Sequence, residues 1–497
     1  MASDKRKPTR HIEIERKFAV DETTVSPSFD GLSAVSRVEQ APVAHLDAVY
    51  FDTADQDLAA RKITLRRRTG GTDAGWHLKL PAAADARTEV RVPLTGARED
   101  VPDELRDVVL AIVRDRALGP VARIETERTV TTVHGADNSA LAEFCDDRVT
   151  ATAGTSVQNW REWELELGAG VTDDDLLDRL ANRLFDAGAR PAGHGSKLAK
   201  VLAEARTSEP ASVPASVPEP TDAVHRAIAA HVDELIGWDR AVRADTFDSV
   251  HQMRVTIRKI RSLLQESGDL GEQSWVLDEL KLLAEVLGTA RDAEVLAERY
   301  ERTLSGLAPE LVRGPVHERL VDGSQHRYQT GLRRSITAMR SARYFRLLDA
   351  LDIIAVQGTP AAADEDTTPV TVAGAYRRVR KAVRRAEAAE AAGADDAEEA
   401  LHRIRKSAKR LRYTAAAMGQ TRVADCAKEI QTLLGDHQDS YVSRAHLLTQ
   451  ADAATSAGED AFTYGVLYQL EAEVAEFARL QLDDALKALA KAVRKAR

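Results

Sequence analysis

Two periodicities divide the chain. From about Arg10 to Arg206, polar and apolar residues alternate in short runs broken by turn-forming residues, which is the pattern of half-buried β-strands. The first run, HIEIERKF from His11 to Phe18, puts Glu13, Glu15 and Lys17 on one face, with Ile12, Ile14 and Phe18 on or near the other. AVYFDT (48–53), ITLRRRTGG (63–71), GWHLKLP (75–81), TEVRVPL (88–94), RIETERTVTTVHG (123–135), SALAEFCDD (139–147) and REWELEL (161–167) continue it. About eight antiparallel strands predict a sheet that is rolled or closed. From Asp222 onward the period becomes 3.6, in Ala-, Leu- and Arg-rich sequence that predicts an all-α bundle. Between the two lies SEPASVPASVPEPT, Ser208 to Thr221, with the composition of a semi-extended tether.

The expected organisation is therefore a short tail (1–9), an antiparallel β-barrel or tunnel domain of α+β type (10–206), a linker (207–221) and an all-α helical domain (222–497). A second low-complexity patch, Gln357 to Thr371, splits the helical domain into halves of about 222–356 and 372–497. The halves resemble each other, so this bundle is expected to be internally duplicated.

One face of nearly every predicted strand is charged: Arg66 and Arg68, Lys79, Glu89 and Arg91, Arg123 and Arg128, Asp146, then Glu162, Glu164 and Glu166. Turned outward, these faces would be the wet surface of a barrel with an apolar core. Turned inward, they would line a polar tunnel able to hold a cation beside an anion. Alternation alone leaves both open. Carboxylates that share a face repel, and either solvent or a shared divalent ion relieves them.

In the helical half, VHQMRVTIRKIRS from Val250 aligns with LHRIRKSAKRLRY from Leu401. His251 matches His402, Arg254 matches Arg405, Arg258 matches Lys409, Lys259 matches Arg410 and Arg261 matches Arg412, and Lys406 adds to the second copy. Met253, Ile257, Ile260 and Leu264 flank the first stripe, and Ile404, Ala408, Leu411 and Ala415 flank the second. Each copy is followed by a Leu-Gly motif, LGTARDAEV from Leu287 and LGDHQDSYV from Leu434, which aligns Asp292 with Asp439. A solvated basic face is one account of such stripes. Duplication, the aligned histidines and a further cluster containing Arg377, Arg378 and Lys381 favour an anion-binding groove, with the two aspartates positioning arginines.

Composition narrows the classes. The net charge of −10 and 5% aromatic content argue against a general nucleic-acid binder. The only cysteines, Cys145 and Cys426, are far apart, which excludes a disulfide framework and fits a reducing compartment. With no signal-like or membrane-spanning run, a cytoplasmic protein is expected. DTADQD (52–57) lacks the Gly and closing Glu of a calcium loop, and no Walker loop, dinucleotide fingerprint or HExxH is present.

The ordered motifs of the first half resemble the CYTH domain of the triphosphate tunnel metalloenzyme superfamily. HIEIERKF is similar to its Glu-x-Glu-x-Lys strand, Tyr50–Thr53 to its Tyr-Tyr-Asp-Thr element, Leu65–Arg68 to Leu-Arg-x-Arg, Arg87–Glu89 to Arg-x-Glu, Glu162–Glu166 to Glu-x-Glu-x-Glu, and Ser196–Lys197 to the closing Ser-Lys. The resemblance implies that Arg66, Arg68, Lys79, Arg87, Arg128 and Lys197 bind phosphate. It implies that Glu13, Glu15, Asp146, Glu164 and Glu166 hold Mg²⁺ or Mn²⁺, with Lys17, Glu13 and Glu15 catalytic. Glu143, of opposite parity to Asp146, is left outside this set. The second half resembles the CHAD domain, whose family association implies binding of inorganic polyphosphate by His251, Arg254, Arg258, Lys259, Arg261, Arg377, Arg378, Lys381, His402, Arg405, Lys406, Lys409, Arg410 and Arg412. The expectation is a metal-dependent triphosphatase with a polyphosphate-binding helical domain. The alternatives are a protein that binds polyphosphate without turnover, and a thiamine triphosphatase or adenylate cyclase.

Overall fold

The structure, a computed structural model, describes residues 9–83, 85–94, 100–171, 173–208, 223–266, 273–357, 371–391 and 397–496. Most of the expected tail, of the 207–221 linker and of the Gln357–Thr371 patch lies outside those residues.

The strands are β1 (Thr9–Val20), β2 (Arg37–Gln40), β3 (Ala44–Asp52), β4 (Thr64–Thr69), β5 (Gly75–Pro81), β6 (Ala86–Pro93), β7 (Gly119–His134), β8 (Ala140–Ala153), β9 (Ser156–Leu167) and the two-residue β10 (Arg190–Pro191). Pairing runs β1-β6-β5-β4-β3-β7-β8-β9 and returns to β1, so eight antiparallel strands close a barrel, with β2 and β10 attached at its margins. Closure sets Lys17 opposite Glu164 and Glu15 opposite Glu166. The next pairs set Asp147 opposite Arg128 and Glu162. Register thus delivers acids and bases from distant sequence to one enclosed face.

Four helices decorate the barrel: α1 (Asp57–Ala60), α2 (Asp103–Val113), α3 (Asp174–Asp186) and α4 (Lys197–Ser208). Asp173 caps α3 by accepting from the Leu176 N–H at 3.1 Å. Leu176, Leu177, Leu180 and Leu184 of α3 then cover Phe18, Phe144, Trp163 and Leu165 on the outside of the sheet. On the opposite face, Leu198, Val201 and Leu202 of α4 pack on Tyr50, Ile124, Val149 and Ala151. The inner face is therefore apolar where α4 lies on it and charged beyond. Outer packing by α3 decides which way the strands face.

The remaining helices are α5 (Ala223–Arg243), α6 (Ser249–Glu266), α7 (Trp275–Ser305), α8 (Gly323–Ala338), α9 (Ala342–Gln357), α10 (Val372–Ala391), α11 (Ala397–Ala417), α12 (Thr421–Ser456) and α13 (Phe462–Lys495). The chain forms two compact units, one of residues 1–282 with 336–359 and the other of 283–335 with 360–497. This division follows neither the linker nor the duplicated halves. In the first unit the barrel domain packs directly on helices of the second half. Arg114, which follows α2 at φ 58° and is 4% exposed, is ion-paired to Asp349 and Asp352 of α9. Arg61 donates to Asp233 of α5 at 2.6 Å, and Arg240 to the Val108 carbonyl at 3.2 Å. Within this unit the barrel domain and helices α5 and α9 are thus joined by ion pairs and a hydrogen bond.

In the same unit, Met253, Ile257, Ile260 and Leu264 of α6 are fully buried. In the second unit, Ile404, Ala408, Leu411 and Ala415 of α11 join one core with Ile430 and Leu434 of α12 and Leu489 of α13. A Cβ at Gly331 of α8 would lie 2.8 Å from the backbone of Ala290 in α7, so these helices touch at a spot that admits no side chain.

Candidate active site

The charged face encloses a cavity of about 70 Å³ lined by residues of β1, β3, β4, β5, β6, β7, β9 and the start of α4. Lys17 Nζ lies 2.9 Å from Glu15 and 2.5 Å from Glu164. Burial would lower its pKa, but Glu15 and Glu164 outweigh this and hold it above the ordinary value, so Lys17 is a fixed ammonium. Burial pulls Glu15 upward, yet Lys17 and Lys79 bring it down to about 2. Glu13 is 3% exposed, with the Lys79 ammonium on one oxygen and Arg91 3.2 Å from the other. The first strand therefore presents two carboxylates and one ammonium inward, all ionised or ion-paired.

Lys197 enters from the start of α4. Ser196 Oγ caps that helix by accepting from Ala199 N at 3.1 Å, the ordinary N-cap role, while the Lys197 side chain turns inward. Its ammonium stands 2.9 Å from Asp147, 2.8 Å from Glu162 and 2.7 Å from Glu164. Arg128 makes paired bonds to Asp147 at 2.7 and 2.6 Å and another to Glu164 at 2.5 Å. Arg87 lies 3.7 Å from Glu15 and donates to the Gly195 carbonyl at 2.6 Å.

Arg66 and Arg68 are supplied differently. Arg66 donates to Tyr50 Oη at 3.3 Å, and Arg68 is ion-paired to Asp73 of the β4–β5 turn. The Nε groups of both are buried without an acceptor among the described residues. Burial, with Arg66 and Arg128 nearby, brings the Arg68 guanidinium down to about 9. Buried donors short of acceptors, repelling one another, are the arrangement that an anion would relieve.

Glu166 is the complementary case. Burial, followed by the charge of Glu13, pushes it up to about 7, Lys79 opposes, and Glu15 and Glu164 add to the rise. Among the described residues it has no hydrogen bond or ion pair. Glu13, Glu15, Glu164 and Glu166 line the same cavity and are hard oxygen donors of the kind a divalent ion takes, but no three of them lie within ligand distance of one another; the groups that do are two others. Asp147, Glu162 and Glu164 lie within ligand distance of one another, but the Lys197 ammonium answers that cluster. The second group, His11 with Glu13 and Glu89, is answered by Arg91.

The predicted tunnel residues converge, except one. Asp146 faces the outside of the barrel, where it accepts from Arg161 at 2.9 and 2.6 Å and from Ser26 at 2.8 Å. Successive side chains on a strand alternate, and it is Asp147 that points inward. The same parity puts Glu143 on the inner side, opposite Glu166 in register. Sequence reading also missed Tyr50, Arg91 and Glu162, which stand against the predicted cations and acids. Placing Phe144 and Trp163 in the outer core would have revealed the parity. A larger cavity of about 760 Å³ is lined by Glu22, His45, Asp47, Glu125, Arg148 and Trp160 among others. Its rim gathers no cluster of cations, so it is a poorer anion site.

Of the helical stripes, Arg405 lies over Gly435, whose absent Cβ would be 3.3 Å from its guanidinium. One turn on, burial raises the pKa of Asp439, Arg405 and Arg299 oppose this, and Asp436 and Asp292 add to it. In the second copy the glycine of the Leu-Gly-x-x-x-Asp motif thus leaves room for an arginine, and its aspartate feels that arginine's charge. Burial, then Lys406 and Arg405, keep His402 below its ordinary pKa. Arg380 and Arg384 of α10 line a separate hollow of about 220 Å³ with Tyr376 and Leu486.

A closed barrel with this interior, joined to long helices carrying basic stripes, defines the class. Residues 11–188 match the CYTH domain and residues 226–448 the CHAD domain, and the chain belongs to the family that combines them in that order. Proteins described as uncharacterised in two strains of Mycobacterium tuberculosis are 61% identical to it over 99% of each chain. Among solved structures, the CHAD domain of Ricinus communis is 20% identical over 57% of this chain and 97% of that one, with a TM-score of 0.37. An adenylyl cyclase-type protein of Hippeastrum, described as having dominant triphosphatase activity, is 17% identical over 41% of this chain and 98% of that one, with a TM-score of 0.26. CYTH superfamily members are typically phosphoryl-transfer enzymes that use divalent metals.

Proposed function

We propose that the tunnel hydrolyses inorganic triphosphate or a related short polyphosphate with Mg²⁺ or Mn²⁺, and that the basic stripes of the helical domain bind polyphosphate. The observation that carries this reading is the convergence, inside one closed barrel, of Arg66 and Arg68, whose buried Nε groups lack an acceptor among the described residues, with Glu166, which makes no ion pair among them. A metal–triphosphate complex supplies both at once.

Arg66, Arg68, Arg87 and Arg128 would take phosphoryl oxygens, the guanidinium forks giving paired bonds. Lys17, held protonated, is suited to carrying the charge of the attacked phosphoryl group and unsuited to accepting a proton. Glu13, Glu15, Glu164 and Glu166 would hold the metal. When bound, that ion withdraws charge from the phosphoryl group and acidifies a water. Because Lys79, Lys17 and Arg128 now rest on Glu13, Glu15 and Glu164, ligand entry exchanges one set of ion pairs for another. Metal and triphosphate should each raise the affinity of the other.

Phosphate release from tripolyphosphate, with Mg²⁺ or Mn²⁺ and with chelator, tests the enzyme. The wild type should turn over only with metal, and Glu13→Ala with Glu15→Ala should abolish turnover. A wild type that binds tripolyphosphate but is inactive with every metal would leave a binding protein in place of an enzyme. The two buried free cysteines suit a reducing cytoplasm, and among the described residues no helix is long and apolar enough to cross a membrane.

A further inference from the structure

The acids that answer the tunnel cations fall into two kinds. Glu13, Glu15, Asp147 and Glu164 sit on barrel strands, each braced by neighbouring strands. Asp73 does not. It belongs to the turn between β4 and β5, and its side chain is 33% exposed while that of its partner Arg68 is 6% exposed. The turn is folded back deliberately. Gly70 and Gly71 adopt φ 80° and 71°, and a Cβ on Gly70 would fall 2.0 Å from the His45 carbonyl. His77 holds the Asp73 carbonyl at 3.0 Å while contacting Glu89 at 2.9 Å.

This arrangement places a carboxylate, from outside the strand walls, on an arginine that otherwise faces the acceptor-poor end of the tunnel. A carboxylate presents two oxygens to a guanidinium much as a phosphoryl group does. We propose that Asp73 is a built-in competitor for the phosphate chain, occupying Arg68 until a phosphoryl group displaces it and the half-exposed carboxylate moves into solvent. It sets affinity and takes no part in bond cleavage. This rests on the reading of the tunnel as a phosphate site.

The test uses the full chain, as wild type, Asp73→Asn and Asp73→Glu, with tripolyphosphate as the probe. Calorimetric titration without divalent metal should show Asp73→Asn binding about 3- to 10-fold tighter, the effect of removing one partly exposed competing charge. Asp73→Glu should stay near the wild type. In Mg²⁺ the same variant should lower KM and leave kcat unchanged, a split that a merely structural residue would not give. Equal or weaker binding by Asp73→Asn, at an unchanged melting temperature, overturns the proposal. So does a fall in affinity for Mn²⁺ titrated alone, which would make Asp73 a metal ligand. If neither the wild type nor Asp73→Asn binds tripolyphosphate, the tunnel reading fails and the competitor with it. Wild-type binding that Asp73→Asn leaves unaltered removes the competitor alone.

Discussion

Lys197→Met is the most informative single change. It keeps the length and apolar stem of the side chain but deletes the charge that stands within 2.9 Å of Asp147, Glu162 and Glu164. Two of those carboxylates are essentially buried, at 0% and 1% side-chain exposure, so solvent cannot take over from the ammonium. Removing one partner of a buried ion pair costs about 3–5 kcal/mol. Arg128 still reaches Asp147 and Glu164, which favours the lower end, roughly 3 kcal/mol. For a domain of this size that corresponds to a drop in melting temperature of roughly 6–12 °C in chelator. The vacated cluster then has three carboxylates within ligand reach of one another, and Mg²⁺ should enter it. At 100 times its Kd the ion would restore about 2.7 kcal/mol. Thermal melts of both proteins in EDTA and across a Mg²⁺ series decide the matter. The Mg²⁺-induced shift should be larger for the variant than for the wild type. A loss under 2 °C in EDTA, or equal shifts for the two proteins, would refute the idea that one ammonium carries this cluster.

Glu166 should make metal binding depend on pH. Its folded pKa, raised to about 7, lies above that of an unfolded glutamate, so without metal it weakens the fold as pH rises through 7 and it ionises. Metal needs that ionised form, so Mg²⁺ affinity by calorimetry should climb from pH 6 to 8, and Glu166→Gln should flatten the climb. Gly331→Ala should cost about 1–3 kcal/mol in a chemical melt, since its Cβ would meet the Ala290 backbone. Arg114→Ala should cost about 1–2 kcal/mol, a moderate value because Asp349 and Asp352 are partly exposed. Reversing Arg254, Arg258, Arg405 and Lys409 to Glu should abolish retention of long-chain polyphosphate on the helical domain while tunnel turnover persists; unchanged retention would remove the stripes from the reading.

Much of this fold is legible in the alternation itself. GWHLKLP coincides with β5, and HIEIERKF and REWELEL fall inside β1 and β9. Strand margins were less visible: β2 and the distal part of β8 carry few large apolar residues, and their place comes from pairing with β7 and β9. Which face turns inward could not be read from period two alone, because a charged inner face and a charged outer face give the same pattern. The answer lies in α3, whose leucines claim the Phe144 and Trp163 side of the sheet. The resemblance assigns Asp146 by its motif position, and two adjacent aspartates offer no parity without knowing where Phe144 goes. In the helical half, Met253, Ile257, Ile260 and Leu264 are buried as their spacing implied, because a 3.6-residue stripe has only one way to face a core. The docking of α5 and α9 on the barrel domain had no sequence signal, as it depends on Arg61 and Arg114 meeting aspartates more than a hundred residues away.

That docking changes what counts as a separable piece. Severing the chain between residues 208 and 223, the obvious place to excise a catalytic fragment, would leave Arg114 in its left-handed backbone without either counter-ion and uncover the side of α2 that α5 covers. An excised barrel should be less soluble and more readily digested than the same residues in the whole protein. The first compact unit of this molecule is longer than its first family match.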